Sequence, residues 1–342
     1  MKRPVFVVGC PRSGTTLLYS MLMAAGGFAV YRKETHFYEL APRFPDLSDP
    51  RSHAEFTARF LAGYLGTVPG LDVRPFLRTA LEHSDSTGTV LPLLMDGITT
   101  SQGMERWTEA TPAHVLCMEE IAGAVPEALF VHVVRDGRDC ALSHVGQGWV
   151  PTLPWDKDRK LGVAGLYWEW MVRAGRRYCA GRSDTCLQVR FEDLIGDPPA
   201  ALARIGRFIE HDLDYARIKA NPVHALKVPN TSFRAERRDP GFNPVGRWKS
   251  RSSDAMRLCE DLIRPCLEEL GYDVPPRDAD LGSRLRVALM RSLYLPYFRT
   301  KQWLKVRTPL GRYVTSTRVW TKPANAAEER VLPVRPPRYS EV

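Results

Sequence analysis

A short run of small, hydroxyl-bearing residues follows the first apolar stretch of the chain. The apolar stretch is Pro-Val-Phe-Val-Val-Gly at 4–9, and Cys-Pro-Arg-Ser-Gly-Thr-Thr occupies 10–16. A strand, a glycine and a helix start at one point present backbone N–H groups and the positive end of a helix dipole, which together bind an anion. The serine and threonine side chains of this segment add hydroxyl donors, and its arginine adds a fork-shaped cation. The predicted anion-binding residues are Arg12, Ser13, Gly14, Thr15 and Thr16.

This loop lacks the lysine that ends the phosphate-binding loop of nucleotide triphosphatases. There, Gly-Lys-Ser or Gly-Lys-Thr brings a lysine to the terminal phosphates, whereas this chain reads Gly-Thr-Thr at 14–16. The difference argues against ATP hydrolysis. A kinase or another nucleotide-triphosphate enzyme with the same loop remains an alternative, and it predicts Mg²⁺-dependent binding of ATP.

A second anion-binding element is predicted at Val-Val-Arg-Asp-Gly-Arg-Asp-Cys-Ala-Leu-Ser, residues 133–143. Arg135 ends a strand, and ligands of open α/β sheets bind at that edge. Ser143 lies about two turns into the following helix and can point back to the same edge. The pair suits a second phosphate at some distance from the first. A capped turn with local ion pairs is the alternative for this segment.

The elements around these motifs alternate between strands and helices. Strands are predicted within 4–9, 128–139 and 186–194. Amphipathic or capped patterns between and after them predict helices. Such alternation implies a parallel sheet with helices on both faces, and we predict a P-loop-like, three-layer α/β fold.

The predicted organisation is one large domain and a tail. The domain covers 1–274 and contains a mainly helical insert at about 40–110, whereas 275–342 form a basic, aromatic extension with a Pro-rich, disordered end. A helix is predicted at 285–307. It could lie on a membrane, but packing onto the domain through its Leu and Tyr residues is the favoured interpretation.

Composition narrows the class of protein. The 342 residues include 48 Lys and Arg against 39 Asp and Glu, a net charge of +9, which suits polyanionic ligands or a generally basic surface. The seven cysteines are odd in number and form no Cys-x-x-Cys pair, which predicts reduced thiols. A strand at the N-terminus leaves no room for a signal peptide, and no apolar run could span a bilayer, so we expect a cytoplasmic protein.

The sequence lacks the motifs that are typical of several other classes of enzyme. There is no His-Glu-x-x-His metal spacing, no Gly-x-Ser-x-Gly turn, and no Gly-x-Gly-x-x-Gly at the first helix. We therefore expect no metal site. The basic charge is not accompanied by a nucleic-acid-binding module, so a nucleic-acid partner is not expected.

Three motifs, in this order, resemble the sulfotransferases that use 3′-phosphoadenosine 5′-phosphosulfate (PAPS). They are Cys-Pro-Arg-Ser-Gly-Thr-Thr-Leu-Leu at 10–18, the 133–143 segment, and Val-Gly-Arg-Trp-Lys-Ser at 245–250. The resemblance is clearest to the bacterial, tyrosylprotein and heparan branches and covers about 4–272. It implies transfer of a sulfuryl group from PAPS to a hydroxyl of a small molecule, metabolite or carbohydrate, with 3′,5′-adenosine bisphosphate released and no metal needed.

The resemblance also implies a catalytic base after the first helix. Residues 31–40, Tyr-Arg-Lys-Glu-Thr-His-Phe-Tyr-Glu-Leu, are similar to the heparan-type segment that carries the base, which makes Glu34 the candidate. His36 would hold the acceptor or Glu34, or act as a second base. Arg12 would stabilise the charge that develops on the bridge oxygen, and Lys33 is a candidate second cation.

Further donor contacts follow from the same resemblance. The first loop would hold the 5′-phosphosulfate, and Arg135 and Ser143 the 3′-phosphate. Phe191 stands where relatives often carry a nucleotide-contacting Tyr, and Arg247 stands where a Lys or Arg contacts the donor. The late loop adds Trp248, which would pack the loop on the sheet, Ser232, which would lie near the transferred group, and the lower-ranked Arg234, Arg237 and Arg238.

Two positions depart from the family pattern. Ala110 stands where the family segment Glu-Lys-Thr-Pro carries a lysine, and that lysine assists the transition state. Gln147 stands at a position that is frequently basic in the family. A catalytically inactive nucleotide-binding protein is therefore a further alternative, which predicts tight binding of the bisphosphate without transfer.

Overall fold

A four-stranded parallel sheet, with strand order β2-β1-β3-β4, forms the centre of the fold. The computed structural model describes residues 1–31, 34–62, 71–150, 152–221, 243–276 and 280–308. The strands are β1 Val5–Gly9, β2 Thr108–Glu109, β3 Leu129–Val134 and β4 Cys186–Arg190. The short strand β2 was not predicted, and β4 ends earlier than expected because Phe191 begins a helix.

Helices cover the sheet and make up most of the described chain. In chain order they are α1 Thr15–Ala25, α2 Phe37–Leu40, α3 Pro50–Ala62, α4 Arg74–His83, α5 Val90–Ser101, α6 Met118–Ala124, α7 Gly137–Gln147, α8 Lys160–Cys179, α9 Phe191–Gly196, α10 Pro198–Ile209, α11 Tyr215–Ala220, α12 Asp254–Glu269 and α13 Leu281–Arg307.

Both faces of the sheet are buried, which explains why its strands are apolar throughout rather than alternating. Val5 and Val7 pack in a core with α1 and α10, whereas Phe6 and Val8 pack in a second core with α8 and α12. The sheet is thus the middle of three layers. The predicted fold class is confirmed.

The strand order puts the topological switch point of the sheet between β1 and β3. The chain passes from β1 to β2 on one side and then crosses to β3 and β4 on the other. Ligands of open α/β sheets bind at such a switch point, outside the carboxyl ends of the strands. Both predicted anion-binding segments begin there.

The C-terminal helix α13 packs onto the domain. Met290, Tyr294 and Phe298 are buried on its inner face, and the Phe298 ring stacks on Trp170 of α8 with centroids 5.8 Å apart. Arg291 contacts the fully buried carboxylate of Glu169 at 2.6 Å. None of the helices in the described part of the chain combines the length with the hydropathy that a membrane span requires.

Two cysteines are paired in the structure. Cys179, at the end of α8, and Cys186, at the start of β4, form a disulfide with Cα atoms 5.2 Å apart. The turn between α8 and β4 brings them together at a spacing outside the Cys-x-x-Cys pattern. The expectation that all seven cysteines are free thiols is therefore wrong for this pair, while the other five are free and buried.

Candidate active site

The predicted anion-binding loop forms a tight turn at the end of β1. The Ser13 hydroxyl donates to the Cys10 carbonyl at 2.6 Å, and the Ser13 N–H donates to the same oxygen at 3.1 Å. Gly14, with φ 102°, is the N-cap of α1 and offers no capping side chain. The first N–H groups of a helix have no partner within the helix, so the start of α1 presents donors and a positive dipole end at this edge.

Backbone strain coincides with two of the predicted site residues. Among the non-glycine residues that the structure describes, positive φ occurs at Arg12, His36 and Glu210, with φ 76°, 49° and 54°. Such conformations cost of order 1–3 kcal/mol and cluster at functional sites. Two of the three lie in the predicted phosphosulfate loop and the predicted base segment.

The side chain of Arg12 connects the two predicted anion-binding segments. Its Nε donates to Oγ of Ser143 on α7 at 2.8 Å. Its guanidinium carbon lies 5.5 Å from the ring centroid of Trp149, which follows α7. The loop after β1 and the helix after β3 therefore meet at one arginine.

Arg135 lies at the end of β3 and braces the loop. Its Nη1 donates to the Arg12 carbonyl at 2.9 Å, and its guanidinium carbon lies 4.6 Å from the ring centroid of Phe191. The same ring covers Gly14, where a Cβ would lie 2.2 Å from Phe191 Cδ2. The Nε of Arg135 is buried without a partner, so a donor remains at this edge of the sheet.

The late Val-Gly-Arg-Trp-Lys-Ser segment is anchored on α7. The carboxylate of Asp139 accepts the N–H of Gly246 at 2.7 Å and that of Trp248 at 3.0 Å. The Trp248 ring lies 3.6 Å from the guanidinium carbon of Arg138, which also pairs with Asp136. These contacts hold Arg247 next to the 133–143 segment.

The predicted base belongs to a row of alternating charges. Nε2 of His36 lies 3.2 Å from Oε2 of Glu34, and its Nδ1 lies 3.4 Å from Oε2 of Glu39. Glu39 in turn contacts Nζ of Lys305 on α13 at 2.7 Å. The Glu34 side chain is 41% exposed, whereas that of Glu39 is 3% exposed. The exposed carboxylate of Glu34 can therefore reach a ligand, whereas the buried carboxylate of Glu39 contacts His36 and Lys305.

The pKa values of the two inner members of this row, His36 and Glu39, favour their charged forms. Burial alone would lower the pKa of His36, but the contacts to Glu34 and Glu39 outweigh it and raise that pKa to about 10. Burial would raise the pKa of Glu39, but Lys305 and His36 hold it well below its usual range. At neutral pH, His36 therefore carries a proton and orients Glu34, which argues against His36 as a second base.

A buried carboxylate that the sequence analysis did not identify supports this segment. Glu109, at the end of β2, accepts the N–H and hydroxyl of Thr35 at 3.1 and 3.0 Å. It also accepts the N–H of Thr111 and contacts His114 Nδ1 at 2.8 Å. Burial would raise its pKa, but His114 and Thr111 lower it to about 2. Its place in Glu-Ala-Thr-Pro, beside Ala110, was the signal that could have identified it.

His144 on α7 and Tyr167 on α8 pack beside the anion-binding loop. His144 Nε2 is 3.5 Å from Cys10 Sγ, and its ring lies 5.7 Å from that of Tyr167. Burial raises the pKa of Tyr167, and the charges of Cys10 and Glu39 raise it further. Neither residue was singled out from the sequence.

The sequence analysis singled out further residues, among them Ala110 and Gln147. Ala110 is half-buried and packs on the core that contains α1. Gln147 is the last residue of α7. No group of three or more His, Cys, Asp or Glu in the described ranges is arranged to hold a metal. Ser232, Lys33, Arg234, Arg237 and Arg238 lie outside the described residues.

Comparison with known proteins gives consistent matches. The model of the Sulfotransferase family matches residues 4–215. Protein-tyrosine sulfotransferase 1 of Danio rerio is 23% identical over 303 residues, which cover 79% of this chain and 72% of the relative.

Among the solved structures, one domain supports the fold. The sulfotransferase domain of the Synechococcus PCC 7002 olefin synthase is 18% identical, with a TM-score of 0.51, and the match covers 80% of this chain and 98% of that domain. A sulfotransferase from Alicyclobacillus acidocaldarius is 15% identical, with a TM-score of 0.43 and coverage of 80% and 98%.

Proposed function

We propose that this chain, which belongs to the sulfotransferase family, transfers a sulfuryl group from PAPS to an acceptor hydroxyl. The proposed acceptor is a small molecule, a metabolite or a carbohydrate, and the other product is 3′,5′-adenosine bisphosphate. The observation that carries the proposal is the 2.8 Å hydrogen bond from Arg12 to Ser143, because it joins the two segments assigned to the two ends of the donor.

The residues at this edge suit a donor with two separate anionic groups. The start of α1 and the side chain of Arg12 would hold the 5′-phosphosulfate. The 3′-phosphate would lie near Ser143 and Arg135, whose buried, unpartnered Nε is a donor that an anion could satisfy. Phe191 covers Gly14 and stacks on Arg135, so it provides an apolar surface beside both groups.

The charged row would supply the base. Glu34 would accept the proton of the acceptor hydroxyl as the acceptor oxygen bonds to sulfur. The bond from sulfur to the bridge oxygen breaks, and its electron pair stays on the phosphate of the bisphosphate product. Arg12 would stabilise that developing charge. Protonated His36, held by Glu39, would orient Glu34 before the reaction.

One specific observation keeps a second candidate function open. Ala110 provides no cation where the family segment carries a lysine, and a nucleotide-binding protein without transferase activity would tolerate that change. Lys305 brings a cation to the base segment, but its 2.7 Å contact is to Glu39. This second function predicts bisphosphate binding in the absence of any sulfated product.

A calorimetric titration tests the donor site. The full chain should bind 3′,5′-adenosine bisphosphate without Mg²⁺ and more tightly than ATP with Mg²⁺. Ser143→Ala should weaken bisphosphate binding by about fivefold to twentyfold, because a charge-assisted contact is worth about 1–2 kcal/mol. Ser20→Ala is the matched control, since its hydroxyl donates to Thr16 within α1. Binding of ATP with Mg²⁺ but not of the bisphosphate would overturn the proposal.

A further inference from the structure

The helix α13 has an outer apolar face that no part of the described chain covers. Leu281, Leu285, Leu289 and Leu293 are 71%, 62%, 65% and 41% exposed, and Trp303 is 56% exposed. A spacing of four residues places the leucines in one stripe along the helix. Large apolar side chains that are exposed as a continuous stripe, rather than singly, indicate an interaction surface.

The stripe is separate from the packing of the domain. Met290, Tyr294 and Phe298 attach α13 to α8 through the opposite face, and Arg291 reinforces that attachment through Glu169. The outer leucines therefore add little to the folded state. The helix therefore has one apolar face that packs on the domain and a second apolar face that is exposed.

The charge of α13 indicates which partner fits. The helix carries seven Lys and Arg residues and no Asp or Glu. Arg284, Arg286 and Arg299 are exposed beside the leucines. An exposed leucine stripe bordered by arginines has the chemistry of a helix that lies in the interface of an anionic bilayer, where arginine heads reach the lipid phosphates.

Two other occupants fit less well. A second copy of the same face would bring the arginines of one helix towards those of the other, and like charges repel. Residues 309–342 of this chain carry six Lys and Arg against three Asp and Glu, so that segment is also basic. An anionic surface is the partner whose charge complements the helix.

We propose that α13 docks this protein on anionic lipid membranes, with the stripe from Leu281 to Leu293 and Trp303 inserted at the headgroup level. The helix would lie along the surface without crossing it, in keeping with the absence of a long apolar span in the described residues. Binding would combine burial of the leucines with attraction of the arginines to the lipid charge.

Vesicle co-sedimentation of the full chain tests this proposal. We expect binding to vesicles of phosphatidylcholine mixed with phosphatidylglycerol to be at least about tenfold tighter than binding to phosphatidylcholine alone, and to weaken at high salt. The double variant Leu285→Glu/Leu289→Glu should lose binding. Ile195→Glu is the matched control, since Ile195 is also exposed but lies on α9.

Three results would overturn the proposal. One is equal binding of the wild type to both kinds of vesicle, or no binding to either. Another is unchanged binding by the leucine variant, provided that circular dichroism shows it to be folded. The third is a dimer in light scattering that the leucine variant abolishes while vesicle binding is absent, because the stripe would then serve a second copy.

Discussion

Gly14 connects the backbone of the anion-binding loop to the aromatic surface beside it. Its φ of 102° favours glycine, and a Cβ there would lie 2.2 Å from the Phe191 ring. Phe191 stacks on Arg135. A side chain at position 14 would therefore displace both the ring and the arginine assigned to the 3′-phosphate.

Gly14→Ala should weaken binding of 3′,5′-adenosine bisphosphate by about tenfold or more. Gly26→Ala is a matched control at the other end of α1, because Gly26 has φ 84° and no atom lies within 4 Å of the position that a Cβ would take there. Both variants carry a backbone cost of about 1–3 kcal/mol, but only the first displaces Phe191. Equal binding losses in calorimetry would contradict the role given to this contact.

Single residues also show where prediction from the sequence ends. The segment Cys-Pro-Arg-Ser-Gly-Thr-Thr indicates an anion-binding loop because its function depends on local backbone geometry. The contact of Arg12 with Ser143 joins residues 131 positions apart. Spacing could place each of them at the sheet edge, but their direct contact depends on side-chain directions that only the packed structure determines.

At the scale of elements, α13 completes the charged row of the base segment. Lys305 approaches Glu39 from a helix 266 positions away in sequence. Glu39 is almost fully buried between this lysine and His36. The sequence predicted a packed tail helix, but not this contact, because a basic residue on a helix is usually solvated.

Lys305→Met should destabilise the protein by about 2 kcal/mol, because it removes the nearer of the two cations that contact the buried carboxylate of Glu39. Partial exposure of the lysine and the remaining contact with His36 keep the loss below that expected when a fully buried pair is broken. Arg307→Met is the control two residues away, where an exposed pair with Glu120 at 3.5 Å should matter by less than about 0.5 kcal/mol. Urea unfolding measures both. Equal losses would show that the Glu39 pair does not support the fold.

At the scale of the whole molecule, histidines with shifted pKa values contribute to the dependence of stability on pH. Burial lowers the pKa of His132 to about 4, below the ordinary 6.5, so the unfolded chain binds more protons between these values. Stability from this group is lost as pH falls from 6.5 to 4. His36, with a pKa of about 10, has the opposite sign, and its contribution is lost as pH rises from 6.5 to 10. The maximum should lie near neutral pH.

His132→Leu should flatten the acidic limb of this profile. Both ring nitrogens of His132 are buried without partners, so an apolar side chain of similar size removes a group that resists protonation. The free energy of unfolding of the variant, taken relative to that of the wild type, should be about 2 kcal/mol higher at pH 5 than at pH 8. His53→Leu, at an exposed position on α3, is the control. If the difference in free energy of unfolding between variant and wild type is the same at both pH values, the lowered pKa given to His132 is contradicted.

The architecture was more predictable than the site. Apolar strand runs and capped helices report burial and backbone direction locally, so the three-layer parallel sheet followed from the pattern. The two-residue strand β2 was too short to show a period, and the support that its Glu109 gives to Thr35 depends on residues 74 positions apart. Long-range polar contacts of this kind leave no local pattern in the chain.

The most direct test of the central claim is transfer of radiolabelled sulfate from PAPS to a panel of phenols, sugars, nucleosides, lipids and a tyrosine peptide. The wild type should label at least one acceptor. Glu34→Gln should reduce that rate by about a hundredfold or more, because a general base contributes on this scale, while bisphosphate affinity stays unchanged. Labelling at equal rates by both proteins would contradict the role of Glu34, and bisphosphate binding with no labelled product from the wild type would contradict the transferase account itself.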